Sequence, residues 1–154
     1  MPASNTISPD TTGQLISELF DTDDISDFLR QHNFDAVMPA FADYIVGLCE
    51  RRGVVISQLM IDADVSLSFG YAIFNGTRMP SRDTVIKLAI ALELDLDETQ
   101  KLLAAASRGR LYPKIRRDAV VIHAILHSVG LAETQRQLRE NGLDELGAKK
   151  NDAD

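Results

Sequence analysis

Between Gly53 and Ser81 the apolar positions fall into two short helical groups separated by a break in the period. Val55, Leu59 and Met60 give the first group one apolar side, and Ala63-Asp64-Val65 interrupts it where a turn is needed. Asp64 stands where the chain must enter the left-handed region, which Asp tolerates among the non-glycine residues. Ser66 is placed to cap the second group with its hydroxyl. That group runs to about Phe74 with Val65, Phe69 and Ile73 inward. Asn75-Gly76 then predicts a left-handed stop, Pro80 prevents the helix from resuming unbroken, and Ser81 with Asp83 predicts the start of the next helix.

The same periodicity organises the flanks. Leu15, Ile16, Leu19 and Phe20 form one helical stripe, and Ile25, Phe28 and Leu29 form a second after Asp21-Thr22. Pro39 suits the first position of a helix that carries Phe41, Tyr44, Ile45, Leu48 and Cys49 inward and ends at Arg51-Arg52-Gly53. Val85, Ile86, Leu88, Ala89, Ile90 and Leu92 predict a fourth helix of this body. A turn through Glu93 to Asp95 leads to a fifth, Asp97 to Ser107, with Leu102 and Leu103 inward and Gly109 as its stop.

An internal repeat follows. Arg82 to Leu103 aligns without gaps on Arg117 to Leu138 at a shift of 35 residues, with identities at Arg-Asp, Val85/Val120, Ala89/Ala124, Ile90/Ile125, Leu96/Leu131, Glu-Thr-Gln and Leu103/Leu138. Duplication accounts better than convergent patterning for Glu-Thr-Gln at the same offset from Arg-Asp. The second copy predicts an added hairpin over 113–141, ended by Asn141-Gly142. The expectation is therefore an all-α chain in four parts: an acidic N-terminal arm with two short helices (1–37), a five-helix body (38–108), an added helical hairpin (109–146) and a flexible polar tail (147–154). Residues 1–10, rich in Ser, Pro and Asn, are expected to be disordered.

Composition sharpens this in two places. The net charge of −7 argues against a nucleic-acid binder until its distribution is read: residues 1–38 carry −6, residues 39–118 carry +1, and the remainder −2. The acids of the arm, Asp21 to Asp27 above all, read most simply as a solvated rim, and more sharply as a docking surface for a basic partner or a shield against non-specific nucleic acid. The single Cys49, the lack of an apolar run near the roughly 18 residues of a membrane span, and the lack of a basic-then-apolar leader predict a soluble cytoplasmic protein that makes no membrane contact. Cys49 lies in an apolar series and reads as a buried small hydrophobe.

The segment Gly53 to Ser81 resembles, without a gap, the helix-turn-helix of phage repressors and XRE-type bacterial regulators, with NGTRMPS where that family has its glycine-containing loop leading to Pro-Ser. Residues 39–107 resemble the family's five-helix DNA-binding domain. The resemblance implies a phage-repressor-like fold and a double-stranded DNA partner. It also implies that the Ser66–Phe74 helix enters the major groove, with Leu67, Ser68, Tyr71 and Ala72 toward bases, Asn75, Thr77 and Arg78 near the backbone, and Ser66 among the DNA contacts. Arg82 is added to that set. Arg51, Arg52, Lys87, Arg110 and Lys114 are candidate phosphate contacts, while the bland reading of the run Arg108, Arg110, Lys114, Arg116 and Arg117 is solvated helix ends. Ile56 replaces the family's phosphate-binding glutamine, and the reading helix holds no Arg, Lys, Gln or Asn before Asn75. Gly70 stands where the family has a branched residue and Met60 where it has a small one, so Met60 is expected to fill the room Gly70 leaves.

His123 and His127, four apart, share a helix face as metal ligands would, yet the repeat aligns them with Leu88 and Leu92. A packing or dimer role is therefore expected, and no metal. No phosphate-binding glycine loop, Cys pair or nucleophile motif is present, so neither catalytic residues nor a cofactor are expected. The sequence thus points to a dimeric DNA-binding repressor of XRE type. The alternatives are a protein-interaction module that kept the fold without base reading, and an antitoxin-like protein whose acidic arm neutralises a partner.

Overall fold

A computed structural model describes residues 12–31 and 41–148. All regular structure among them is helical, and the chain divides into two units, Met1–Val37 and Met38–Asp154. Pro39, the first ten residues and 149–154 lie outside the described residues.

In the first unit α1 (Thr12–Asp21) packs on α2 (Ile25–Gln31). Asp24 begins α2 by accepting a hydrogen bond from the Ser26 N–H at 3.0 Å. Phe28 is buried, whereas Ile16, Leu19, Phe20, Ile25 and Leu29 stay exposed, so much of the predicted apolar stripe has no cover among the described residues.

The second unit holds α3 (Phe41–Arg52), α4 (Ile56–Asp62), α5 (Leu67–Phe74), α6 (Arg82–Ala91), α7 (Leu96–Ala105), α8 (Arg116–Leu126) and α9 (Leu131–Glu140). One apolar core runs through it, with Ile45, Leu59, Ile73, Val85, Ile86, Leu88, Leu102, Leu103, Val121 and Leu138 at its centre. The added hairpin therefore shares a core with the five helices before it. Cys49 is buried among these residues, and burial pushes its thiol above the usual range.

Local chemistry sets the element ends. Gly53 closes α3 at φ 63°, and Asp64 makes the turn after α4 at φ 54°. Ser66 caps α5 by accepting from the Phe69 N–H at 3.3 Å, Gly76 ends the following turn at φ 81°, and Ser81 caps α6 by accepting from Thr84 N–H at 3.2 Å. Asp95 and Glu98 form a reciprocal capping box at the start of α7, at 2.8 and 3.2 Å. Asp95→Ala removes the acceptor for one of the orphan N–H groups. The expected loss is about 1 kcal/mol of stability, read as a lower urea midpoint at unchanged m-value. The predicted glycine stop of α7 is corrected: Ser107, at φ 55°, makes the left-handed turn, and Gly109 lies beyond it.

The repeat returns as a set of reciprocal contacts. Arg82 forks onto Asp118 at 2.9 and 2.8 Å and also donates to the carbonyls of Gly109 and Arg110, at 2.9 and 2.8 Å. Thirty-five residues on, Arg117 forks onto Asp83 at 2.8 Å twice and donates to the carbonyls of Asp144 and Glu145, at 2.9 and 2.8 Å. Gln100 brackets the backbone of Leu111, as Gln135 does that of Leu146. Left-handed residues also match, Glu93 with Ser128 and Ser107 with Gly142. Each arginine thus binds its own copy's exit loop and the other copy's aspartate, while α6 packs on α9 and α7 on α8. This crosswise exchange is the pattern a local two-fold produces. It extends the equivalence past Leu103/Leu138, and it reaches the expected tail, where the Gly147 N–H donates to Asp83 at 2.9 Å.

Candidate nucleic-acid interface

The helix α5 turns its inner side, Gly70 and Ile73, into the core and leaves Ser66, Leu67, Ser68 and Tyr71 exposed. These four share a surface that a groove could receive. Ala72 is half-buried, and its carbonyl accepts from the backbone N–H groups of Thr77 and Arg78, at 3.0 and 3.1 Å, so it serves the loop more than the outer face. Asn75 accepts from the Thr77 N–H and hydroxyl at 3.0 and 2.7 Å, which stiffens the loop and leaves the Asn75 amide nitrogen as a donor. Arg78 lies exposed, its guanidinium 5.9 Å from the centre of the Phe69 ring.

The start of the basic run, remote in sequence, is brought to this loop. Arg108 Nε donates to the Pro80 carbonyl at 3.1 Å, and Arg82 holds the carbonyls of Gly109 and Arg110. Residues 108–110 are thereby pinned beside 80–82, at the end of the α5–α6 loop. Arg110, Lys114 and Arg116 are exposed, and among the described residues no acid within ion-pair distance neutralises them or Arg78. Arg51 is likewise exposed and without an acid partner among the described residues.

Three of the expected contacts are placed elsewhere. Arg82 spends its donors on Asp118 and two carbonyls, so it locks the repeat and has little left for DNA. Lys87 is buried at 8% exposure and donates to the Asp64 carbonyl at 3.1 Å, serving the left-handed turn between α4 and α5. Arg52 pairs with Glu98 at 2.8 Å and donates to the Leu92 carbonyl at 3.2 Å, tying α3 to α7. The packing role expected of His123 and His127 is not seen: both are exposed, unlike the buried Leu88 and Leu92 with which they align.

Sequence reasoning misses the roles of Asp83, Asp118, Arg117 and Arg108: it makes the first a helix start, gives the second none and leaves both arginines in the basic run. A signal for the first three was present. Apolar identities between the copies follow from helical patterning alone, but the repeated Arg-Asp at a helix start does not, and it marks a contact both copies need. Among the described residues no helix is long and apolar enough to cross a membrane. No protein-family model, curated protein or solved structure matches this chain.

Proposed function

We propose that the chain is a DNA-binding transcriptional regulator of XRE type, with α3–α7 as its phage-repressor-like five-helix domain, α4 and α5 as the helix-turn-helix, and no enzymatic activity. The observation that carries this reading is the junction of an exposed α5 face with unpaired cations from two distant stretches, Arg78 and the Arg110–Lys114 loop. Phosphate contacts from that loop supply affinity, and Leu67, Ser68 and Tyr71 supply modest base selectivity through thymine methyls and single hydrogen bonds. Two copies act together on DNA, one on each half-site, since one such unit reads only a half-site.

The test is fluorescence-anisotropy binding to the DNA upstream of the chain's own gene and to a scrambled duplex, at two salt concentrations. Arg78→Ala/Arg110→Ala is expected to weaken both complexes alike and to reduce the slope of log K against log salt by about 2. Arg82 is left intact because its loss would disturb the fold. No binding by the folded wild type at low salt would end this reading. One observation favours a protein-interaction module instead: Val55, Ile61, Leu67 and Tyr71 are exposed on α4 and α5 and their approaches, and neither helix itself carries a cation. Capture of a partner protein that Leu67→Glu abolishes, with no DNA binding, would establish that alternative.

A further inference from the structure

The repeat provides an internal comparison. In the first copy Leu88, Leu92, Leu102 and Ala106 are buried in the core shared with α3–α5, where α4 packs on α6 and α3 on α7. The residues 35 positions on are His123, His127, Gln137 and Asn141. His123, Gln137 and Asn141 line an open groove on α8 and α9, His127 lies beside His123 outside that lining, and both histidines and Asn141 are exposed. Polar types have replaced apolar ones where the second copy lacks cover among the described residues.

Two of the four replacements are used within α9. Asn141 donates to the Gln137 carbonyl at 2.7 Å, and Gln137 reaches Glu133 at 3.5 Å. The imidazoles are not: their side chains make no hydrogen bond or ion pair with the described residues, and their centroids lie 4.2 Å apart with the planes tilted by 36°. Solvation alone would be met by any polar residue, whereas two imidazoles one turn apart, with no polar partner among the described residues and their ring centroids 4.2 Å apart, have the spacing that chelation uses. Imidazole nitrogen suits zinc, nickel and copper, and zinc closes a structural site with four ligands. Two positions then remain, and among the described residues no group of three His, Cys, Asp or Glu is placed to fill them.

We propose that His123 and His127 bind a divalent transition-metal ion, with the same two histidines of a second copy of the chain completing a four-nitrogen site on a two-fold axis. Residues 119–132 contain no Asp, Glu, Lys or Arg, so the α8 end that carries the histidines brings no charge of its own to a contact between two chains of net charge −7. Leu126, 64% exposed, gives the same helix end an apolar contact to bury. A two-fold makes such a face self-complementary.

The experiment uses the untagged full chain, with light scattering and metal analysis after equilibration with zinc, and cobalt(II) as a spectroscopic substitute. Mass should double on adding zinc, with one ion per two chains, and return on adding EDTA; cobalt should give the visible bands of a tetrahedral nitrogen site. His123→Ala/His127→Ala should bind no ion at the same concentration and stay monomeric, with an unchanged circular dichroism spectrum because both rings are exposed. A mass that ignores zinc, one ion per monomer, or a dimer that persists in EDTA or in the double variant would each overturn the proposal. DNA binding plays no part in these readouts.

Discussion

Replacing Asp118 by Ala is expected to lower the free energy of unfolding by about 3 to 5 kcal/mol, the range for breaking a buried ion pair by removing one partner. Asp118 is 2% exposed, takes both arms of the Arg82 fork, and accepts from the Tyr112 N–H at 2.9 Å. Alanine leaves the guanidinium with two carbonyls and the Tyr112 N–H without its acceptor. Arg82 is partly open to water, which places the loss toward the lower end of the range. Asp118→Asn, which keeps an oxygen acceptor, should lose less. Urea denaturation at constant m-value is the measurement.

The pH dependence follows from the same contacts. Burial would raise the Asp118 carboxyl, but the Arg82 hydrogen bonds, the Tyr112 N–H and the charges of Arg82 and Arg117 outweigh it and hold it below the usual carboxylate range. Burial is likewise outweighed at Asp83 by Arg117 and the Gly147 N–H. A depressed folded value means that the stabilisation is present above the unfolded carboxylate range, near about 3.9, and is lost as pH falls through the folded value. The gap between wild type and Asp118→Ala should therefore narrow below about pH 4. A gap as wide at pH 3 as at pH 7 would show that shape and not charge holds the two copies together.

Features decided by one residue and its near neighbours were legible in the sequence. Asp64, Gly76, Ser66 and Ser81 each do what their chemistry allows best, a left-handed φ or an oxygen for an orphan N–H. Ser107 shows where this stops: glycine is the easiest left-handed residue, yet where α7 ends is also a matter of packing, and the turn came two residues before Gly109. Lys87 reads as a surface cation because its acceptor is a backbone carbonyl freed by a turn 23 residues away, which no side-chain pattern announces. Arg82 reads as a DNA contact for a related reason, since its partner Asp118 belongs to the other copy. For His123 and His127 the repeat was the wrong guide. It predicts local structure, whereas burial depends on what packs over each copy, and α3–α5 pack on the first. The α5 face needed only helical period to be seen; the basic loop beside it needed the tertiary contacts of Arg82 and Arg108.

Met60→Ala is expected to destabilise the fold by about 2 to 5 kcal/mol, the range for a large apolar side chain removed from a core that collapses only partly. Met60 of α4 is fully buried, and a Cβ built on Gly70 of α5 would lie 2.7 Å from its Cγ and closer still to Sδ and Cε. The two residues are therefore complementary in size, as the Gly70/Met60 exchange in the sequence led one to expect. Within a helix, Gly→Ala ordinarily stabilises by about 0.5 to 1 kcal/mol. Here the thioether would have to leave a filled space, and overpacking of about 1 to 3 kcal/mol should reverse the sign, making Gly70→Ala destabilising in the wild type. In the Met60→Ala background the space is free, so the same substitution should stabilise. Contact between the residues makes the pair non-additive, and a double-mutant cycle reads the coupling directly. Strict additivity would mean that Met60 finds another rotamer at no cost and that the α4–α5 spacing is not set by this pair. If the pair does set it, Gly70→Ala displaces the exposed α5 face relative to the pinned basic loop. On the proposed function, DNA affinity should then fall in the single variant and return in part when Met60→Ala is added, although the double variant has fewer core contacts than wild type.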